Sequence, residues 1–114
     1  MSERGAQAEE AAANFLTKRG LRLLERNYRC RFGEIDLVMS DGHTTVFVEV
    51  RYRRNNTFGG SVESVTAAKR KKLLRAARHY MAAQKEFPDC RFDAVLLTGD
   101  THEIQWIENA FGED

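Results

Sequence analysis

Asp36 and Glu49 are the residues of this chain whose setting calls for chemistry. Asp36 lies in Gly33-Glu34-Ile35-Asp36-Leu37-Val38, and Glu49 follows thirteen residues later in Phe47-Val48-Glu49-Val50-Arg51. Both segments are rich in apolar and β-branched residues and read as strands. A carboxylate buried in such a strand is costly unless it is paired or holds a cation. Two of them side by side suit a hard divalent ion: Mg²⁺ is typically held by one or two carboxylates, with waters and a substrate phosphate completing its shell. A basic stretch follows directly. From Val50 to Glu86, ten Lys or Arg stand against two acids, a balance of +8, while the rest of the chain carries −7. Carboxylates for a metal beside cations for phosphates point to a nuclease.

The connection between the two strands decides how the acids face one another. Asp41-Gly42 is a strong hairpin signal. With those two residues as the turn, Ser40 opposes His43, Glu34 opposes Glu49, and Asp36 opposes Phe47. Glu34, Asp36, Phe47, Glu49 and Arg51 then share one face. Ile35, Leu37, Val46, Val48 and Val50 share the other, which is apolar and must be core. Asp36 and Glu49 become diagonal neighbours, roughly 7 Å apart at the backbone, close enough to share a cation. The plainer alternative is a strand-face network in which both acids pair with arginines.

These strands need elements to hold them. Ala8, Ala11, Ala12, Phe15 and Leu16 recur at helical spacing over residues 4–19, and Gly20 suits the stop. Residues 21–31 read as a strand, and 33–40 and 43–52 as stronger ones. Residues 53–64, with Asn55-Asn56 and Gly59-Gly60, read as a flexible loop. Thr66 suits the N-cap of a helix over about 67–85, with Leu73, Leu74, Ala77, Tyr80 and Met81 on its buried stripe. Pro88 closes the connection that follows. The run Ala94-Val95-Leu96-Leu97 within 91–98 implies a strand buried on both faces. Gly99-Asp100 turns the chain into a short edge strand at 103–107. The order α-β-β-β-α-β-β gives an α/β fold, a mixed β-sheet flanked by helices. At 114 residues the chain is expected to form one domain, 1–114, with a core of its own.

Other features narrow the class. No apolar run approaches the ~20 residues of a membrane helix. The start, Met1-Ser2-Glu3-Arg4-Gly5, leads into an Ala-rich segment with Glu9 and Glu10 and does not read as a signal peptide. A cytoplasmic protein with no membrane partner is expected. Cys30 and Cys90 read as reduced, buried thiols, with a disulfide between two strands as the alternative. His43, His79 and His102 lack ligand spacing and read as surface residues. Arg53, Arg54, Lys69, Lys72 and Arg75 are candidates for nucleic-acid phosphates, and Arg70, Lys71 and Arg78 spread the charge around the helix. A merely solvated basic surface is the competing reading. Tyr52 and Phe58 could stack on unpaired bases.

Gly33-Glu34-Ile35-Asp36-Leu37, Phe47-Val48-Glu49-Val50-Arg51, Phe58-Gly59-Gly60 and Arg91-Phe92-Asp93 together resemble the YraN-like family of uncharacterised bacterial proteins. The resemblance extends to Gly5…Glu9-x-x-Ala12-x-x-Phe15-Leu16 and to Asn109-Ala110-Phe111. That family is similar to PD-(D/E)xK nucleases and, among them, to Holliday-junction resolvases. The resemblance implies a restriction-endonuclease-like core and Mg²⁺- or Mn²⁺-dependent hydrolysis of DNA phosphodiester bonds, with structure-specific cleavage as one form it could take. By position, Asp36 and Glu49 match the metal-binding acids, aided by the Val50 carbonyl, and Glu9 matches a third acid of resolvase-like members. A resolvase needs two active sites, hence a homodimer. Two positions depart from the pattern. Ile35 replaces a proline, which matters little. Arg51 replaces the usual lysine, and Arg stays protonated and cannot act as a general base, although it can clamp a phosphate. A lysine reaching in from the second helix, Lys69 or Lys72, could take over. The other outcome is a catalytically inactive nucleic-acid-binding module that keeps the fold.

Overall fold

The computed structural model describes residues 3–54, 66–84, 89–99 and 103–111. The expected loop with Phe58 and Gly59-Gly60, as well as Pro88, Asp100 and His102, lies outside the described residues. The elements are α1 (Glu3–Lys18), β1 (Arg22–Cys30), β2 (Gly33–Asp41), β3 (Thr44–Arg53), α2 (Ala67–Ala82), β4 (Asp89–Thr98) and β5 (Glu103–Phe111). The order α-β-β-β-α-β-β is the expected one, and β5 runs four residues past the expected end. The five strands form one sheet in the order β1-β2-β3-β4-β5. Only β3 and β4 are parallel, so the sheet is mixed. Parallel neighbours need a crossover, and α2 lies within it. The arrangement is compatible with a restriction-endonuclease-like α/β core.

Helix and strand periodicity explain the layers. Ala8, Ala12, Ala13 and Leu16 of α1 pack on Leu37, Met39, Val46, Val48, Val95 and Leu97. On the opposite face, Leu73, Ala76, Ala77 and Tyr80 of α2 pack on Ile35, Val38, Phe47 and Phe92. Phe47 lies at the centre of this second layer, stacked on Phe92 at 5.4 Å and edge-on to Tyr80 at 5.8 Å. Each fully buried side chain of this size is worth about 1.5–3 kcal/mol. Leu74 and Met81 flank this cluster and are only partly buried. The run Ala94-Val95-Leu96-Leu97 is buried throughout, as a strand covered on both faces requires.

The hairpin differs from expectation in two ways. Asp41 pairs with Thr44 and Leu37 with Val48, so the turn is Gly42-His43 and the register is displaced by two. Glycine suits either central position of a two-residue turn; here Gly42 takes the first, with φ +64°. An even displacement leaves the faces unchanged. It brings Asp36 level with Glu49, one step beyond the last ladder pair. The second difference is that the face of Phe47 and Glu49 is not an open polar surface, because α2 covers it. Ile35 packs with that layer, whereas Leu37 packs under α1. The strand alternation therefore breaks at Asp36.

The most deeply buried acid is neither of the predicted pair. Asp93 on β4 is 0% exposed. It accepts from Arg91 Nε (3.0 Å) and Nη2 (3.2 Å), Trp106 Nε1 (2.9 Å) and the Asn109 N–H (2.9 Å). The β4–β5 register shifts between Phe92 and Ala94, and the Asp93 carboxylate fills this irregularity. Arg91 also reaches Asp41 at 3.1 Å, tying β4 to the hairpin end. These two acids hold the guanidinium still more firmly protonated than usual. The two thiols are not joined: Cys30 is half-buried, and Cys90, where β4 enters the sheet, is exposed rather than buried. Removing Asp93 leaves the Trp106 and Asn109 N–H groups without this acceptor and takes from Arg91 one of its two acids. Asp93→Ala is expected to lose about 3–5 kcal/mol of stability in urea denaturation, and a loss under about 1 kcal/mol would show that the network is dispensable.

Candidate metal and nucleic-acid site

The hairpin strands part where the acids lie. The β2–β3 ladder ends at Leu37–Val48, and beyond it Asp36 Oδ2 accepts the Val50 N–H at 2.8 Å. A side-chain oxygen thus takes a strand N–H at the point where the ladder has stopped. Glu49 is 5% exposed, with its Oε1 2.7 Å from Lys69 Nζ of α2. Lys69 is in position because Thr66 caps the helix: the Thr66 hydroxyl accepts the Lys69 N–H at 3.1 Å. Of the two lysines expected to reach in from the second helix, Lys69 contacts an acid, while Lys72 lies against Gly33.

Electrostatics at the pair is unfavourable. Burial, then the charge of Glu49, raises the Asp36 carboxyl to about 7 from an ordinary 3.8; the Val50 N–H and Lys69 only partly oppose this. Glu9, on α1, is also buried and feels Asp36 through space. Its carboxyl is raised, chiefly by burial, against a hydrogen bond with Asn27. Glu9 therefore comes from α1, beside Asn27 of β1, on the flank of the pair. Among the described residues, no three Asp, Glu, His or Cys side chains converge as a ready-made metal cage.

A divalent cation nevertheless fits the donors present. Two carboxylates, one destabilised by the other's charge, are the kind of set that Mg²⁺ completes with water and phosphate. The ammonium on Glu49 shows that the place accepts a cation. Arg51 is half-buried two residues past Glu49, level with Leu96 of β4.

The other basic candidates are dispersed. Arg53 is half-buried and its Nε donates to Thr98 Oγ1 at 3.1 Å. Arg54 is exposed at the end of β3, and Lys72 and Arg75 are exposed on α2. Lys69 and Lys72, with Gly33, Glu34, Thr66 and Leu73, line a groove of about 410 Å³ between the start of β2 and the start of α2. Gly33 allows that approach: its φ is +149°, and a side chain there would meet Lys72 Cβ at 3.4 Å. His79 is exposed as expected, but its Nδ1 is hydrogen-bonded to the Tyr28 hydroxyl, a link that sequence spacing gave no sign of. Asp93 was likewise missed as a buried centre; its signal was an Arg two residues earlier on the same strand face.

Fold and site together define a small three-layer α/β protein with an ion-paired acidic couple at the parted end of a hairpin. The chain belongs to the uncharacterised protein family UPF0102, whose model matches residues 8–97, as the YraN-like resemblance implied. It is 60% identical over 111 residues to a UPF0102 protein of Nitrosomonas eutropha, covering 96% of this chain and 94% of the relative. A UPF0102 protein of Psychromonas ingrahamii is 46% identical over 112 residues, covering 98% and 92%. No helix among the described residues is long and apolar enough to cross a membrane.

The raised Asp36 carboxyl has a definite pH signature. The folded state holds this proton more tightly than the unfolded chain between pH of about 4 and about 7, so its contribution makes stability fall as pH rises through that window. Above it both states are ionised and the full penalty remains. Asp36→Asn, which can still accept the Val50 N–H, is expected to be about 2 kcal/mol more stable than wild type at pH 8. Its stability should also vary less across the window, as chemical denaturation at several pH values would show. A variant less stable than wild type at pH 8 would contradict the assignment.

Proposed function

We propose that this protein is a metal-dependent DNA endonuclease that hydrolyses phosphodiester bonds, with branched DNA as its preferred substrate. The observation that carries the reading is the Asp36–Glu49 couple, half-buried at Asp36 and buried at Glu49, destabilised by its own charge and already drawing in a cation from α2. A protein stabilised only for its own sake gains little from such a pair, since apolar side chains of similar volume do as well or better. A Mg²⁺ or Mn²⁺ ion held by Asp36 and Glu49, with the Val50 carbonyl beside them, would polarise a phosphoryl oxygen and acidify bound water. Glu9, on the flank, can hold a water of that shell.

The remaining residues bind and orient. Arg51 clamps the scissile phosphate with paired N–H donors, favouring the charge that builds up in the transition state. Lys69 supplies the flexible amine that position 51 lacks. Lys72 and Arg75 extend the positive surface along α2 for flanking phosphates, and Arg54 does so past β3. Arg53 contributes through its charge, since its Nε is engaged by Thr98. Action at a four-way junction would bring two copies together as a homodimer, whose two sites cut two strands.

Arg51 also supports a second reading, a nucleic-acid-binding module without catalysis, because Arg cannot take a proton from water. One set of assays separates the two. Branched, flapped and single-stranded DNA are incubated with Mg²⁺ and with Mn²⁺. The nuclease reading expects metal-dependent cleavage that Asp36→Ala and Glu49→Ala each reduce at least about a hundredfold. Cleavage untouched by both substitutions would overturn it. Salt-dependent DNA binding without cleavage, not restored by Arg51→Lys, would establish the binding module instead.

A further inference from the structure

Lys69 stands between two places that both want a cation. On one side its Nζ is 2.7 Å from Glu49 Oε1. On the other, the same side chain lines the groove with Lys72 and Thr66. The partners differ in mobility: the Glu49 side chain is 6% exposed and fixed, whereas that of Lys69 is 44% exposed on a flexible four-carbon stem. Its backbone is pinned by the Thr66 cap, so only the side chain needs to move. The groove is cationic and suits an anion. It has two lysines against one acid, and that acid, Glu34, is already paired with Arg29 at 3.1 Å.

We propose that Lys69 is an exchangeable counterion. With no metal bound, its ammonium neutralises Glu49; a divalent cation on Asp36 and Glu49 displaces it, and it swings to a nucleic-acid phosphate in the adjoining groove. This rests on the metal-dependent reading above and adds an order to it. The ammonium and a divalent ion compete for one buried carboxylate, and like charges at that distance repel. A phosphate in the groove gives the displaced ammonium a new partner. Metal and nucleic acid therefore assist each other's binding through this one side chain. Lys69 acts here as a positioning residue, and its effect is readable without turnover.

The test is Mn²⁺ calorimetry on the wild type, Lys69→Met and Lys72→Met, with titration of a single-stranded phosphorothioate oligonucleotide with and without Mn²⁺. Lys69→Met is expected to bind Mn²⁺ about fivefold tighter in the absence of oligonucleotide, the amount a half-exposed ion pair contributes. It should also lose most of the gain in oligonucleotide binding that Mn²⁺ gives the wild type. Lys72→Met should weaken oligonucleotide binding but change Mn²⁺ affinity less than twofold. Thermal melts confirm folding, and Lys69→Gln replaces Lys69→Met if that variant does not fold. Unchanged or weaker Mn²⁺ binding in Lys69→Met, or equal tightening in Lys72→Met, overturns the exchange and leaves the metal site standing. A wild type that takes up no Mn²⁺ overturns the metal-dependent reading and the exchange with it.

Discussion

Two carboxylates held close together away from water cannot both stay charged without a cation. Everything distinctive in this molecule follows from Asp36 and Glu49 being put in that position. The strands part beside them, so their neighbours cannot screen the repulsion with further ladder bonds. The Val50 N–H supports Asp36, and Lys69 supports Glu49. Asp36 still ends with its proton affinity far above that of an ordinary carboxyl. Asp36 is therefore the destabilised member of the pair.

The fold supplies the surroundings for that deficit through one topological feature. Joining parallel β3 and β4 requires a crossover, and α2 within it is laid over the face that carries Phe47 and Glu49. The apolar side of α2 packs on Phe47 and Phe92, which sets its height above the sheet. Its first turn then overhangs the parted strands, with Gly33 passing closely beneath Lys72. The basic residues of α2 are thereby carried to the acids by core packing. On the other face α1 delivers Glu9 through the small side chains Ala8, Ala12 and Ala13, which let the helix lie close to the sheet.

Much of this was legible in the sequence because the signals were local. Helical spacing, strand composition and the Thr66 cap gave the seven described elements in order. The faces of β3 followed from parity and survived a register error of two, as did those of β2 from Leu37 onward, whereas Ile35 lies on the opposite face because the alternation breaks at Asp36. The error itself has a physical origin: Asp-Gly and Gly-His both make acceptable two-residue turns, and only long-range packing chooses between them. What stayed hidden was non-local. That α2 covers the acidic face, that Lys69 rather than Lys72 meets Glu49, and that Tyr28 meets His79 all depend on the crossover's path. Spacing along the chain carries none of that information.

Asp93 shows why burial alone does not single out a candidate ligand. It is more deeply buried than Asp36 or Glu49, yet its two oxygens receive a guanidinium, an indole N–H and a main-chain N–H. Such a carboxylate has nothing left to offer a ligand, and its work is to hold β5 against β4. Glu49 is met by Lys69, a donor on a half-exposed, flexible arm. Asp36 has one main-chain donor and a repelling neighbour. The difference that separates a structural acid from a candidate ligand is therefore the number and rigidity of its donors. By that criterion, among the described contacts, Asp93 is saturated, whereas Asp36 and Glu49 hold fewer and less rigid donors, and those two lie together.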